Sequence, residues 1–184
     1  MSKYPMALTK GIYVITGIMA SGKSTIAQLL AEKSEKSVHI RGDIFRTMIV
    51  SGRAEMNMNF TQEAYKQLHL RYKLAAQVAE AYYSEGFTTV LQDNFLGNDA
   101  NYFLNCFTMS PIYFITLCPS VQAVKNREQN REKKGYIDWD VESLNAVLEN
   151  ENPRTGLWID SSNQSPDETV AEIISRYSAE ARIK

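Results

Sequence analysis

The stretch that most constrains this chain is Gly17 to Ser24, Gly-Ile-Met-Ala-Ser-Gly-Lys-Ser, which fits G-x-x-x-x-G-K-[ST] at every fixed position. Ile12 to Thr16 before it are apolar or β-branched and predict a short buried strand. Thr25-Ile-Ala-Gln-Leu-Leu-Ala-Glu after it is rich in helix formers. Strand, glycine-rich loop and helix are the context the pattern needs. Gly17 and Gly22 open backbone conformations closed to other residues, so the N–H groups between them can converge on one anion. The helix starting near Lys23 adds its positive dipole end. Lys23 is placed to reach the outer phosphates, and the Ser24 hydroxyl to ligate a magnesium ion shared with phosphate oxygens. The pattern predicts a nucleoside triphosphate site over Gly17, Ile18, Met19, Ala20, Ser21, Gly22, Lys23, Ser24 and Thr25.

A length of 184 residues suits one domain with a proper core, expected to span 1–184. The net charge of −1 supplies no overall basic field, so nucleic acid and anionic membrane are disfavoured as partners. Cys106 and Cys118 are too far apart in sequence for a C-x-x-C metal or redox pair. They read as buried, inert thiols in a reducing compartment, the cytoplasm. Lys3 and Lys10, an apolar run and Ala20-Ser21 faintly resemble a secretory leader. Cleavage there would destroy the phosphate loop, so that reading is rejected. No apolar run approaches the roughly 18 residues of a membrane span.

In chain order, the first helix is expected to run to about residue 33 and a second strand to cover Val38 to Ile40. A helix over Ile44 to Val50 follows, then a methionine-rich loop from Ala54 to Phe60. Thr61 caps a long helix reaching about Glu85, with Leu68, Ala75 and Val78 on one face and Gly86 as its stop. Phe87 to Leu91 is the third strand, and a short helix spans Asp99 to Phe107. Ile112 to Leu117 is the fourth strand. Ser120 caps a helix whose charged far end (Arg127, Arg131, Lys133, Lys134) stops at Gly135. A helix over Asp140 to Glu149 and a strand over Leu157 to Ile159 come next, and Ser165-Pro166-Asp167-Glu168 opens the last helix with a capping box. Strands alternating with helices predict an α/β fold, a parallel sheet covered on both faces. Ligands of such sheets bind beyond the carboxyl ends of the strands, where the phosphate loop, Asp43 and Asp93 all fall.

Phosphoryl transfer needs a phosphate cradle, magnesium, a base or orienter for the nucleophile, and cations over the transferring group. Asp43, after a strand and beside Gly42, is the first candidate for the base or a magnesium contact, with helix capping as the plain alternative. Arg46 lies on the helix it precedes, on the substrate side. Asp93 is a second acid, for metal or for substrate alongside Asn94; Gln92 interrupts the apolar run that usually precedes a metal-holding aspartate. Arg127 and Arg131 stand four apart and would share a helix face, either closing over a triphosphate or forming a solvated charge run. His39 and His69 read as structural.

With these residues in view, the chain resembles the small P-loop kinases, and among them the chloramphenicol phosphotransferase-like group, with looser similarity to gluconate and shikimate kinases. The resemblance runs nearly end to end, through the phosphate loop, Arg41-Gly42-Asp43, Leu70-Arg71-Tyr72, Gln92-Asp93, Arg127 to Arg131, and Ile159-Asp160-Ser161-Ser162. It implies a five-stranded parallel sheet in the order 2-3-1-4-5, with Asp43 activating an acceptor hydroxyl. It also implies a lid near 120–136 carrying Arg127 and Arg131, and a nucleobase contact around Ser162 and Asn163. No N-K-x-D stretch of the guanine-reading kind is present, so ATP with Mg2+ is the expected pair. The implied activity is phosphorylation of a small-molecule hydroxyl. A nucleoside or nucleic-acid 5′-end kinase is the alternative among enzymes, and a non-catalytic ATP-dependent switch the alternative of another class. The acceptor and the oligomeric state are not legible in the sequence.

Overall fold

Burial of the sheet's middle decides the architecture. The computed structural model describes residues 8–132, 135–136 and 139–184; Lys133 and Lys134 of the expected charged helix end, and Lys3, lie outside the described residues. Five strands, β1 (Ile12–Thr16), β2 (Ser37–Arg41), β3 (Thr88–Gln92), β4 (Ile112–Leu117) and β5 (Leu157–Ile159), form one parallel sheet in the order β2-β3-β1-β4-β5. Every residue of β1, β3 and β4 is buried, as expected of the central strands of a doubly covered sheet; β1 and β4 are largely apolar, whereas β3 buries Thr88, Thr89 and Gln92 as well. In β1, Ile12 faces Thr89 and Ile112, and Ile15 faces Gln92 and Ile115.

The alternation along β1 divides the core in two. Tyr13 and Ile15 pack with Ile26 and Leu30 of α1 (Lys23–Ala31) and Val170 and Ile173 of α7 (Pro166–Arg176). Ile12 and Val14 pack on the opposite face with Tyr72, Ala75 and Ala79 of α3 (Gln62–Ser84) and Phe103 of α4 (Asn98–Asn105). A smaller cluster joins Ile18 of the phosphate loop to Val124 of α5 (Val121–Gln129) and Leu144 and Leu148 of α6 (Val141–Asn150). The loop that would hold phosphate is thus itself seated on a core.

The expected stops and caps are largely in place. Thr61 Oγ1 accepts from Ala64 N at 3.1 Å, Gly86 turns the chain at φ +88°, and Ser165 with Glu168 forms the capping box. Three differences stand out. The helix expected over 44–50 is α2, only Asp43–Thr47, which buries no residue and has no apolar face to extend it. The helix capped by Ser120 ends at Gln129, where the Asn130 amide turns back onto the Asn126 carbonyl at 2.9 Å. Arg131 therefore sits beyond the helix, and the shared helix face expected for Arg127 and Arg131 does not exist. After α7 the chain continues as a π-helical turn, Tyr177–Ala181, which no sequence signal announced. It delivers Ile183 and Lys184 to the start of β4, where Ile183 N donates to Ile112 O and Ile112 N to Lys184 O.

Gly156, at φ +74°, leads into β5 with no room for a side chain, since a Cβ there would overlap the Phe114 carbonyl. Gly156→Ala is expected to cost about 2 kcal/mol from backbone strain alone. By calorimetry that is a drop in Tm of roughly 4–8 °C for a chain of this size. An unchanged Tm would contradict the packing of this turn on β4.

Candidate active site

All the segments that follow the five strands open on one cleft of about 640 Å3. Its floor is the phosphate loop. Gly17 adopts φ +149°, and a Cβ there would stand 2.6 Å from Leu117 O and 2.7 Å from Ser21 Oγ. Gly22 takes φ +102°, and Ala20 sits at φ +60°, the described non-glycine residue in the left-handed region. Ser21 N closes the loop onto Ile18 O at 3.2 Å. The Ser21 hydroxyl is buried with no hydrogen-bond partner among the described residues, and so is that of Ser161 across the cleft.

Lys23 is buried in the first turn of α1, and its Nζ donates to Ile18 O at 2.7 Å. Burial pushes its pKa down to about 7, against the partial support of the Asp93 and Asp43 charges. Ser24 and Thr25 are exposed beside it and line the cleft.

The acids come from the ends of β2 and β3. Asp43 is the first residue of α2 and half-buried. No side chain caps that helix, so the capping alternative is absent. Its carboxylate meets Arg41 at 3.5 Å. Asp93 is buried and fully engaged: Arg71 Nε donates to Oδ2 at 2.6 Å, Arg71 Nη2 donates to Oδ1, and Asn94 N donates to Oδ1 at 2.8 Å. Gly42 makes room for this pair, since a Cβ there would collide with the Asp93 carboxylate. Both Asp93 oxygens are thus bound by Arg71, and the residue lines the cleft.

Basic residues close the other side. Arg127 bridges two loops, Nη1 donating to Ser21 O at 3.1 Å and Nη2 to Ser161 O at 2.6 Å. Burial holds its pKa below the ordinary value, with the Asp160 charge acting in the opposite sense. Arg131 lines the same cleft from beyond α5 and contacts Glu128 at 3.4 Å. Glu128 also accepts from Gly135 N at 2.5 Å and Tyr136 N at 3.3 Å, and Tyr136 OH donates to Met19 O at 2.7 Å. Tyr136, beyond α5, is thereby tied to the phosphate loop.

Two expected residues fall elsewhere. Asn163 is exposed and outside the cleft lining, whereas its neighbours Ser161 and Gln164 are part of it. Arg46 turns away to Glu55 at 2.5 Å and lines a small pocket behind Arg71. Asn94 lines the cleft, its carbonyl accepting from Tyr72 OH at 3.0 Å. The residue that sequence reasoning passed over is Arg71. Its position between Leu68 and Ala75, on the apolar stripe of α3, is the signal: a charge on a buried helix face calls for a buried partner.

Sheet order, phosphate loop and cleft together define the fold of the P-loop NTPases of the kinase type. The family model AAA_33, described as an AAA domain, matches residues 12–152, and the chain belongs to that family. A search of curated proteins found no significant match. Among solved structures, an unliganded sugar kinase from Janibacter sp. HTCC2649 is similar over 91% of this chain and 94% of its own, at 19% identity and TM-score 0.67. A gluconokinase from Sinorhizobium meliloti 1021 covers 91% of each chain at 19% identity and TM-score 0.62. The APS kinase of Mycobacterium tuberculosis, solved with AMPPNP and APS, covers 90% of this chain and 96% of its own at 16% identity and TM-score 0.62.

The burial of Lys23 gives a pH-dependent signature. At pH 8 a group with pKa about 7 is mostly uncharged, and an arriving phosphate draws a proton onto it; at pH 6 the proton is already there. Calorimetry of ADP binding in buffers of different ionisation enthalpy should find wild type taking up more protons than Lys23→Met at pH 8. The difference should nearly vanish at pH 6. Equal uptake by the two proteins at pH 8 would contradict this origin.

Proposed function

We propose that the chain is an ATP-dependent kinase that transfers the γ-phosphoryl group to a hydroxyl of a small molecule, as one domain with segment 120–136 as its lid. The observation that carries this reading is the meeting of Lys23, Asp43, Arg127 and Arg131 on one cleft, although 108 positions separate the first from the last (131 − 23). The backbone N–H groups from Ile18 to Lys23 would cradle the phosphates, with the Lys23 ammonium on the outer oxygens. Asp43 would accept the proton of the acceptor hydroxyl as it attacks. Arg127 and Arg131 would face the transferring group, where guanidinium charge stabilises the oxygens most strongly in the transition state.

Among the described residues no group of three or more His, Cys, Asp or Glu could hold a metal. A magnesium ion would rest on the Ser24 hydroxyl and on phosphate oxygens, and it would supply neutralising charge there. Nucleobase contacts fall to the Ser161–Gln164 segment rather than to Asn163 itself. The described residues include no helix long and apolar enough to cross a membrane. Cys106 and Cys118 are half-buried rather than buried as expected, and partial burial raises the pKa of both thiols, in keeping with inert thiols of a cytoplasmic protein. The sequence resemblance to the chloramphenicol phosphotransferase-like group and the kinases among the structural neighbours point the same way.

The first test is ADP release by purified protein with magnesium, screened against pooled hydroxylated metabolites, nucleosides and short oligonucleotides. The small-metabolite pool is expected to stimulate release, with phosphate recovered on one component. Stimulation by oligonucleotides alone would favour the 5′-end kinase, and tight ATP binding with no stimulation would favour the switch. Asp43→Asn is expected to lower transfer by about 100-fold or more while leaving ATP affinity within a few-fold. Surviving turnover would remove Asp43 from its role.

A further inference from the structure

The charges of the cleft are divided unevenly between its two halves. On the phosphate half, Lys23 and Arg127 donate to backbone carbonyls, so their charge is not cancelled by a carboxylate in direct contact, and only Arg131 among the described cations there meets an acid, Glu128 at 3.4 Å. On the acceptor half every arginine that lines the cleft is matched to an acid: Arg41 to Asp43, and Arg71 to Asp93. Behind them Arg46 is held by Glu55.

The Arg71–Asp93 pair is built in rather than incidental. It is bidentate, both side chains are largely buried, and Gly42 leaves the space in which it sits. Burial opposes the charge of Arg71, but Asp93 outweighs it by charge and hydrogen bonding, and Asp43 adds to the effect. An acceptor bearing a carboxylate or phosphate would have to displace a buried partner from Arg71. It would also lie against two aspartates.

We propose that the acceptor of this site is an uncharged hydroxylated molecule, and that Arg71 is a positioning residue whose guanidinium holds Asp93 in place instead of binding an anionic group of the acceptor. The proposal rests on the kinase reading. With Asp93 fixed by Arg71, the groups left at this wall are the Asn94 amide and the Asp43 carboxylate, which suit the hydroxyls of a polyol or similar neutral molecule.

Binding of small anions tests this without turnover, so it can fail independently of the kinase assignment. The protein is saturated with magnesium and a non-hydrolysable ATP analogue, which fills the phosphate half. The Nε–Hε resonance of Arg71, identified by its loss in Arg71→Lys, is followed by NMR as sulfate is added. In wild type the resonance is expected to stay in place up to tens of millimolar sulfate. In Asp93→Asn it should move saturably, with an apparent affinity at least about ten-fold higher. Saturable movement in wild type overturns the proposal, as does Asp93→Asn without any gain. Should Asp93→Asn fail to fold, the wild-type titration decides alone. In transfer assays, preference for an aldonate over its neutral polyol overturns it as well.

Discussion

The close approach of Gly17 to the end of β4 is the contact on which the rest of this structure depends. Because no side chain stands at that position, the phosphate loop can lie directly on the Leu117 carbonyl and fold around the Ser21 hydroxyl. Ile18 is then drawn into the cluster under α5 and α6. The loop's N–H groups are held by a packed core on one side and by the start of α1 on the other. Pre-organisation of this kind spares a ligand the cost of ordering the backbone. A left-handed Ala20 in the same loop fits such an over-determined setting.

The phosphate loop, the strand ends and the helix caps were legible because each is written in local residue chemistry. Glycine at a positive φ, serine or threonine before a helix and β-branched runs act within a few residues of themselves. The sheet order followed from the resemblance, and pairing bears it out. Arg131 and Asn163 were harder. Whether α5 continues past Gln129 depends on the Asn130 amide folding back, and periodicity cannot report that. Asn163 and Gln164 differ only in how a loop between β5 and α7 turns, which distant packing decides. Arg71 was hidden differently: its partner is 22 positions away on another element. The packing of α3 on β3 brings the two together, and the hydrogen bonding of β2 to β3 makes Gly42 and Asp93 neighbours.

That pairing also shows how a sheet can set charge in a cleft. Gly42 N donates to Gln92 O at 2.9 Å, which fixes the ends of β2 and β3 side by side. Asp43 is thereby placed next to the Arg71–Asp93 pair without touching it. Two acids at adjacent strand ends thus have different surroundings, one half-exposed beside Arg41 and one sealed by a guanidinium. The same residue type carries an available carboxylate in one place and a structural one in the other.

Arg127, finally, joins the phosphate loop to the β5–α7 connection through two carbonyls. Both carbonyls belong to residues that line the cleft. The two contacts leave other N–H donors of the same guanidinium to spare. The side chain that ties the two loops together therefore still presents positive charge to the space between them.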